Sequence, residues 1–286
     1  MTTVSVLGLG PMGQALSTAL FDANLAVTLW NRTESRADAL RRRGAAWAAN
    51  PAEAVAATEL TVVNVVDHDA VDSVLDAAGD AVADRVVVGL SSDTPDRARQ
   101  TAKLVEDRGG RYLDGAIMSP TSTIGTPSAR LLFAGPQDVF ETHREVFAAL
   151  GASTWLGEDH GRAAAFDMSL LDLFWTSVSG FLHALTVARA NGITPSELLP
   201  HAQGIVDILP PIFEEFAERI EAGRHDNSSA PVSSVAASVR HLIAASQDAG
   251  VDAGALEAFR GYVDAAVAEG YGAEESSRIA AAMARR

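Results

Sequence analysis

The β signal in this chain ends at STWLG, residues 153–157, and everything after it reads as helix. Before that point short β-branched runs recur: VSVLG at 4–8, VTLWN at 27–31, LTVVNVV at 60–66, RVVVGLS at 85–91, RYLDGAI at 111–117 and ARLLFAG at 129–135. Between most of them lie helix-like stretches such as TESRADALRRR and TPDRARQTAKLVEDRG. Strands that alternate with helices build βαβ units and a mostly parallel sheet. The expected fold class is therefore α/β: an αβ domain over residues 1–160, then a helical domain over 161–286. In the second part ITPSELLPHAQ opens a helix with Thr194 as N-cap and Pro195 at its first position. The polar stretch GRHDNSSAPVSS is read as a loop between helices.

The junction between the two parts is the segment GRAAAFDMSLLDLFWTSVSGFLHAL, Gly161 to Leu185. It is apolar almost all the way round a helical wheel, the pattern of a helix covered on every face. A helix of about 30 residues is about 45 Å long. One small helical domain does not cover that length, so a second copy of the chain is expected against it. Asp167, Asp172 and His183 interrupt the apolar run and argue against a membrane span. With 22 Lys+Arg against 37 Asp+Glu, the net charge of -15 opposes binding to nucleic acid or anionic lipid. The chain has no cysteine, which removes thiolate chemistry and fits a reducing compartment, so the cytoplasm is the expected setting. Its seven histidines show no metal-ligand spacing and it holds no G-x-S-x-G elbow. What remains is small-molecule chemistry without a metal.

The candidate cofactor site begins at VSVLGLGPMGQAL, where Gly8, Gly10 and Gly13 form G-x-G-x-x-G directly after a strand and at the mouth of a helix. The first glycine permits a tight turn, the second lets backbone approach a pyrophosphate, and the third allows close helix-to-strand contact. Leu9, Pro11 and Met12 complete the loop, whose helix end offers free N–H groups to an anion. At the end of the second strand, where NAD-selective folds carry an acid for the ribose hydroxyls, the sequence reads Asn31-Arg32-Thr33. Arg32 can pair with a 2′-phosphate, and Asn31 and Thr33 can hydrogen-bond to it, so NADP(H) is the expected cofactor. Arg36, one turn further on, is a weaker second candidate for that phosphate and is read first as an ordinary surface residue. Val66 and Asp67 follow a strand end and either line the cofactor path or form a plain turn, and Ser91 places a hydroxyl near the nicotinamide.

Taken together, GLGPMGQAL, LWNRT, YLDGAIM, the GEDHGRAAAFDMSLL entry to the long helix and the GFLHAL that follows resemble the NADPH-dependent imine reductases. These belong to the wider 6-phosphogluconate and β-hydroxyacid dehydrogenase superfamily. The resemblance implies an N-terminal Rossmann domain, a long interdomain helix, and an all-α C-terminal domain exchanged in a domain-swapped homodimer, with the active site shared between chains. It also implies reduction of cyclic imines or iminium ions to amines, with reductive amination as a related activity. The hydroxyacid dehydrogenases place a lysine near the start of this helix. The only lysine here is Lys103, and Asp167 stands at the matching position, where one group of imine reductases carries a catalytic aspartate.

Physically, a carboxylate in an apolar pocket stabilises a protonated C=N bond, and burial can instead raise its pKa until it delivers the proton itself. Asp172, about 140° further round the helix, is read as structural. Trp175 stands where related enzymes often carry a tyrosine donor. Indole does not release a proton at ordinary pH, so Trp175 is a substrate wall or core. Met118 and Ser119, after the fifth strand, and Leu171, one turn beyond Asp167, are expected to face substrate. The family run after the fourth strand here reads GLSSDTP, with Gly89 in place of an asparagine and Asp93 in place of a glycine. Two other readings share the fold: a β-hydroxyacid (semialdehyde) dehydrogenase with a substituted proton donor, and a non-catalytic NADP-binding sensor.

Overall fold

The structure is a computed structural model that describes residues 2–284, so the outermost residues of the two expected domains lie outside the described residues. The chain divides into two compact units, 1–174 and 175–286. In the first unit the order is β1 (Thr3–Leu7), α1 (Pro11–Asp22), β2 (Ala26–Trp30), α2 (Asp38–Arg42), β3 (Ala46–Trp47), α3 (Pro51–Ala56), β4 (Leu60–Val63) and α4 (His68–Ala78). There follow β5 (Val86–Gly89), α5 (Pro95–Glu106), β6 (Arg111–Ile117), β7 (Arg130–Ala134), α6 (Gln137–Thr142), α7 (Arg144–Leu150), β8 (Ala152–Trp155) and the 30-residue α8 (Gly161–Ala190), which runs on into the second unit.

These strands form one sheet in the order β3-β2-β1-β4-β5-β6-β7-β8, parallel except for the β6–β7 pair. The order reverses between β1 and β4, which pair in register from Val4↔Leu60 to Leu7↔Val63. In an open sheet of this kind the crevice beyond the strand ends at such a reversal is where ligands bind. The sheet is covered on both faces. Val86 and Val88 of β5 enter one apolar core with Leu29, Leu113 and Phe133, while Val87 enters the other with Leu75, Val105 and Tyr112. That explains why β4 and β5 read as continuous apolar runs rather than alternating ones.

The expected strands are all present, and RYLDGAI forms β6 over its full length. LTVVNVV is shorter than expected: β4 stops at Val63, and Asp67 ends the turn by accepting the Ala70 N–H as N-cap of α4. The short β3, which pairs with β2 through Thr28↔Ala46 and Leu29↔Trp47, carries too little apolar sequence to announce itself.

The second unit contains the rest of α8 with α9 (Pro195–Asp207), α10 (Leu209–Ala222), α11 (Val232–Asp248), α12 (Gly254–Ala268) and α13 (Ile279–Met283). Thr194 caps α9 in a capping box with Glu197, and Pro195 opens it, as the sequence predicts. Val232 and Ala236 of α11 pack on Val263 and Ala266 of α12 and on Ile279. The polar loop before α11 is held by Glu275, whose carboxylate accepts the Ser229 and Ala230 N–H groups at 2.8 and 3.2 Å. Burial alone would push that carboxyl up, but these bonds and one from Ser276 outweigh it and hold it at about 2. By length and composition alone α8 could cross a membrane. Its first turns are instead packed into the Rossmann-type unit, where Ala163, Ala164 and Asp167 are buried.

Candidate active site

The three glycines of the loop do three different things. Gly8 has φ +101°, and a Cβ there would sit 2.1 Å from the Asn64 carbonyl oxygen. A Cβ on Gly13 would sit 1.9 Å from the Gly8 carbonyl oxygen, so α1 touches the turn directly. Around Gly10, by contrast, a Cβ would meet nothing within 4 Å. Gly10 borders a cleft of about 730 Å³, which is also lined by Gly8, Pro11, Met12, Asn31, Arg32, Thr33 and Val66. Its far wall is α4, which presents Ala70, Ser73, Val74 and Ala77 at helical spacing along one face.

Asn31 braces the loop. Its Oδ1 accepts the Leu9 N–H at 2.9 Å, and its Nδ2 donates to the Thr33 carbonyl at 2.9 Å. Arg32 is exposed at the mouth of the cleft and makes no ion pair among the described residues, whereas Arg41 and Arg43 nearby are matched to Glu34 and Asp22. Arg36 also lines the cleft, its Nη1 donating to the Leu9 carbonyl at 3.5 Å. Of the two readings of Arg36, its place on the cleft favours the second candidate over the ordinary surface residue: a short 3-10 helix over Glu34–Ala37 brings it back over the loop. The open space at Gly10, the helix N-terminus and two guanidinium groups fit a pyrophosphate and a further phosphate.

Other expected residues are placed behind this surface. Leu9 is fully buried, with only its backbone turned to Asn31 and Arg36. Ser91 accepts the Val65 N–H at 3.0 Å and steadies the end of β4. Asp93 accepts the His68 and Thr94 N–H groups at 3.2 and 2.7 Å, so the acid that replaces a glycine in this run is used to tie the loop to α4. Met118 donates its N–H to Arg130, and the Ser119 hydroxyl accepts the Arg130 N–H at 2.8 Å. Met118, Ser119, Leu171 and Trp175 do not line the cleft.

Asp167 lies in the second turn of α8 and is only 3% exposed. Burial pushes its carboxyl up, and a hydrogen bond with the Ser92 side chain partly offsets this. No cation pairs with it among the described residues. The lone lysine is elsewhere, its Nζ bound to Asp107 at 2.8 Å on the exposed side of α5. The start of α8 is clamped. Arg99 holds Asp159 through two 2.8 Å bonds, and Asp159 accepts the Gly161 N–H at 3.0 Å. That pairing holds the Asp159 carboxyl at about 2.

A second acid, which the sequence reading did not single out, lies beside the first. Asp114 of β6 is 1% exposed, and the Tyr112 hydroxyl donates to its Oδ1 at 3.3 Å. Burial pushes Asp114 well above the usual carboxylate range, and the neighbouring Asp167 adds to that rise. The signal available in advance was an acid in the middle of a run expected to be a buried strand, since such a group needs partners.

Fold and site together define a dinucleotide-binding protein with a buried carboxyl at the entry of a long helix. Residues 3–157 match the family model for the NAD binding domain of 6-phosphogluconate dehydrogenase, and residues 159–285 that for the C-terminal domain of NADPH-dependent reductive aminase-like proteins. A Streptomyces aurantiacus imine reductase structure is 36% identical, with a TM-score of 0.94 over 99% of this chain and 100% of that one. The Aspergillus terreus reductive aminase in complex with NADPH and ethyl levulinate is 31% identical, with a TM-score of 0.95 over 99% and 100% of the two chains. The NADPH-dependent reductive aminase of Aspergillus oryzae is 29% identical over 280 residues, 96% of this chain and 95% of that protein. The chain belongs to the imine reductase family.

Proposed function

We propose that this protein is an NADPH-dependent imine reductase that converts cyclic imines or iminium ions to amines, with reductive amination as a second route to the same C=N substrate. The observation that carries the reading is Asp167: a buried carboxyl, raised by desolvation and paired with no guanidinium among the described residues, at the start of the long helix. Family membership supplies the reaction class.

When bound, NADPH supplies the hydride that the C=N carbon receives. Gly8, Gly10, Pro11, Met12 and Gly13 hold its pyrophosphate, with Leu9 contributing backbone. Arg32 and Thr33, with Arg36, take the 2′-phosphate while Asn31 fixes the loop against them, and Val66, Asp67 and Ser91 shape the path towards the nicotinamide. Asp167 keeps its proton higher on the pH scale than a solvated aspartate and can pass it to the imine nitrogen. Once the proton has moved, the carboxylate faces a cation in a low-dielectric setting and stabilises it. The Ser92 hydroxyl orients the carboxyl. Met118, Ser119, Leu171 and Trp175 are assigned to the substrate side.

The working unit is a homodimer in which helices of each chain complete the partner's site. The functional division falls at 160/161, where the sheet gives way to α8. A cysteine-free chain of this kind is assigned to the cytoplasm.

The test is NADPH oxidation with a five- or six-membered cyclic imine, a ketone plus amine, and a semialdehyde. Turnover with the imine is expected, and Asp167→Ala should lower kcat about hundredfold or more while NADPH affinity stays within a few fold. Reduction of the semialdehyde alone would point to a hydroxyacid dehydrogenase. NADPH binding with no turnover, unaltered by Asp167→Ala, would leave a sensor.

A further inference from the structure

Asp114, Tyr112 and Gly89 form a buried unit for which the cofactor loop has no use. Tyr112 and Asp114 are two residues apart on β6, so their side chains leave the sheet on the same face. Gly89 of β5 is in register with Asp114. A Cβ on Gly89 would lie 2.0 Å from the Tyr112 hydroxyl oxygen, so the missing side chain is the space through which that hydroxyl reaches Asp114. On its other side Asp114 faces the backbone N–H of Ala164, which lies in the first turn of α8 three residues before Asp167 and offsets part of the rise that burial imposes on the Asp114 carboxyl. His160, just ahead of the helix, packs its ring 5.9 Å from that of Tyr112 and approaches the Tyr112 carbonyl to 3.2 Å.

We propose that Asp114, braced by the Tyr112 hydroxyl through the gap at Gly89, is a positioning residue for Asp167: it anchors the first turn of α8 and so fixes where the Asp167 carboxyl points. The proposal rests on the reading of Asp167 as the reacting acid. It also explains why glycine stands at position 89, where the family run has asparagine: any larger residue there collides with the phenol. The exposed Arg99–Asp159 clamp fixes the end of the helix from outside, and Asp114 fixes its inner face. The groups that face Asp114 are Tyr112 on its own strand and Asp167 on α8, with no cation among the described residues. Burial keeps the Asp114 carboxyl protonated far above the usual range, so an amide is a fair mimic of its native form.

The experiment compares Asp114→Asn, Asp114→Ala and Tyr112→Phe with the wild-type protein. It reads kcat, NADPH Kd and amide hydrogen exchange of residues 162–168. Asp114→Ala is expected to lower kcat tenfold or more, speed exchange in that turn, and leave NADPH Kd within twofold. Asp114→Asn, which keeps the acceptor oxygen, should restore kcat to within about threefold of wild type. Tyr112→Phe removes only the brace and should lower kcat severalfold without changing Kd; it serves if the alanine variant does not fold. The proposal is overturned if the alanine and asparagine variants behave alike, if exchange in the turn is unchanged, or if kcat falls only in step with NADPH affinity. A wild-type protein that reduces no imine defeats the functional reading instead, and the exchange measurement still decides whether Asp114 anchors the turn.

Discussion

Gly10 and Gly13 look alike in the sequence and differ in space. A methyl group on Gly13 would enter the Gly8 carbonyl, while one on Gly10 meets open cleft. Gly13→Ala should therefore cost about 2–3 kcal/mol in stability by overpacking, seen as a lowered denaturant midpoint. Gly10→Ala should leave that midpoint within about 0.5 kcal/mol of wild type, as substitutions away from packed groups do, yet weaken NADPH at least tenfold in a fluorescence titration. Equal effects of both variants on stability and on affinity would mean that the cleft beside Gly10 is not the pyrophosphate site. At this scale the loop was legible because a motif fixes three glycines at set spacings. An acid in an apolar helix is conspicuous, but Asp167 and Asp172 share that signal, and only the resemblance to the imine reductases singled out Asp167. Asp114 was not, since its significance lies in a register across β5 and β6 and in a contact with Ala164, neither of which leaves a local pattern.

Whole elements were easier to read than their ends or their short relatives. The long strands stand out because each buries a continuous apolar surface, and α8 because its apolar run is 30 residues long, whereas β3 spans only Ala46–Trp47 and the 3-10 turn after β2 only Glu34–Ala37. That turn shapes the mouth of the cleft. It brings Arg36 over the Leu9 carbonyl, in the same cleft as Arg32, while the neighbouring arginines are taken up by acids. If the two guanidiniums share one phosphate, Arg32→Ala should weaken NADPH ten- to hundredfold, about 1.5–3 kcal/mol of charged hydrogen bonding. Arg36→Ala should weaken it by a smaller factor, and NADH should change little in either case. The double variant should fall short of the summed losses, because residues on a common partner couple. Parallel loss of NADPH and NADH would show that both arginines act through the shared pyrophosphate end of the cofactor.

At the scale of the whole molecule the second unit is incompletely covered in a single chain. Helices α9 and α10 bury no residue, and Leu182 of α8, Ile205, Val206 and Ile208 remain more than half exposed. Exposed apolar side chains gathered on neighbouring helices are the kind of surface that a partner covers. From the length of α8 the sequence led to the expectation of a second copy, but it could not say which faces the chain leaves open, because coverage is a property of packing between distant segments. A second copy is the occupant we propose: the same helices repeated by a two-fold axis would bury about 2,000 Å² or more, the range of obligate homodimers. Sedimentation equilibrium should accordingly return twice the chain mass at micromolar concentration. Leu182→Glu with Ile205→Glu, which puts charge into the apolar contact, should shift the protein to monomer. The monomer should still bind NADPH within a few fold, since the cleft is built from the first unit alone, but should lose most imine turnover if each active site draws on both chains. A monomeric variant that turns over imine at the wild-type rate would confine the whole site to one chain and leave the exposed helices to some other partner.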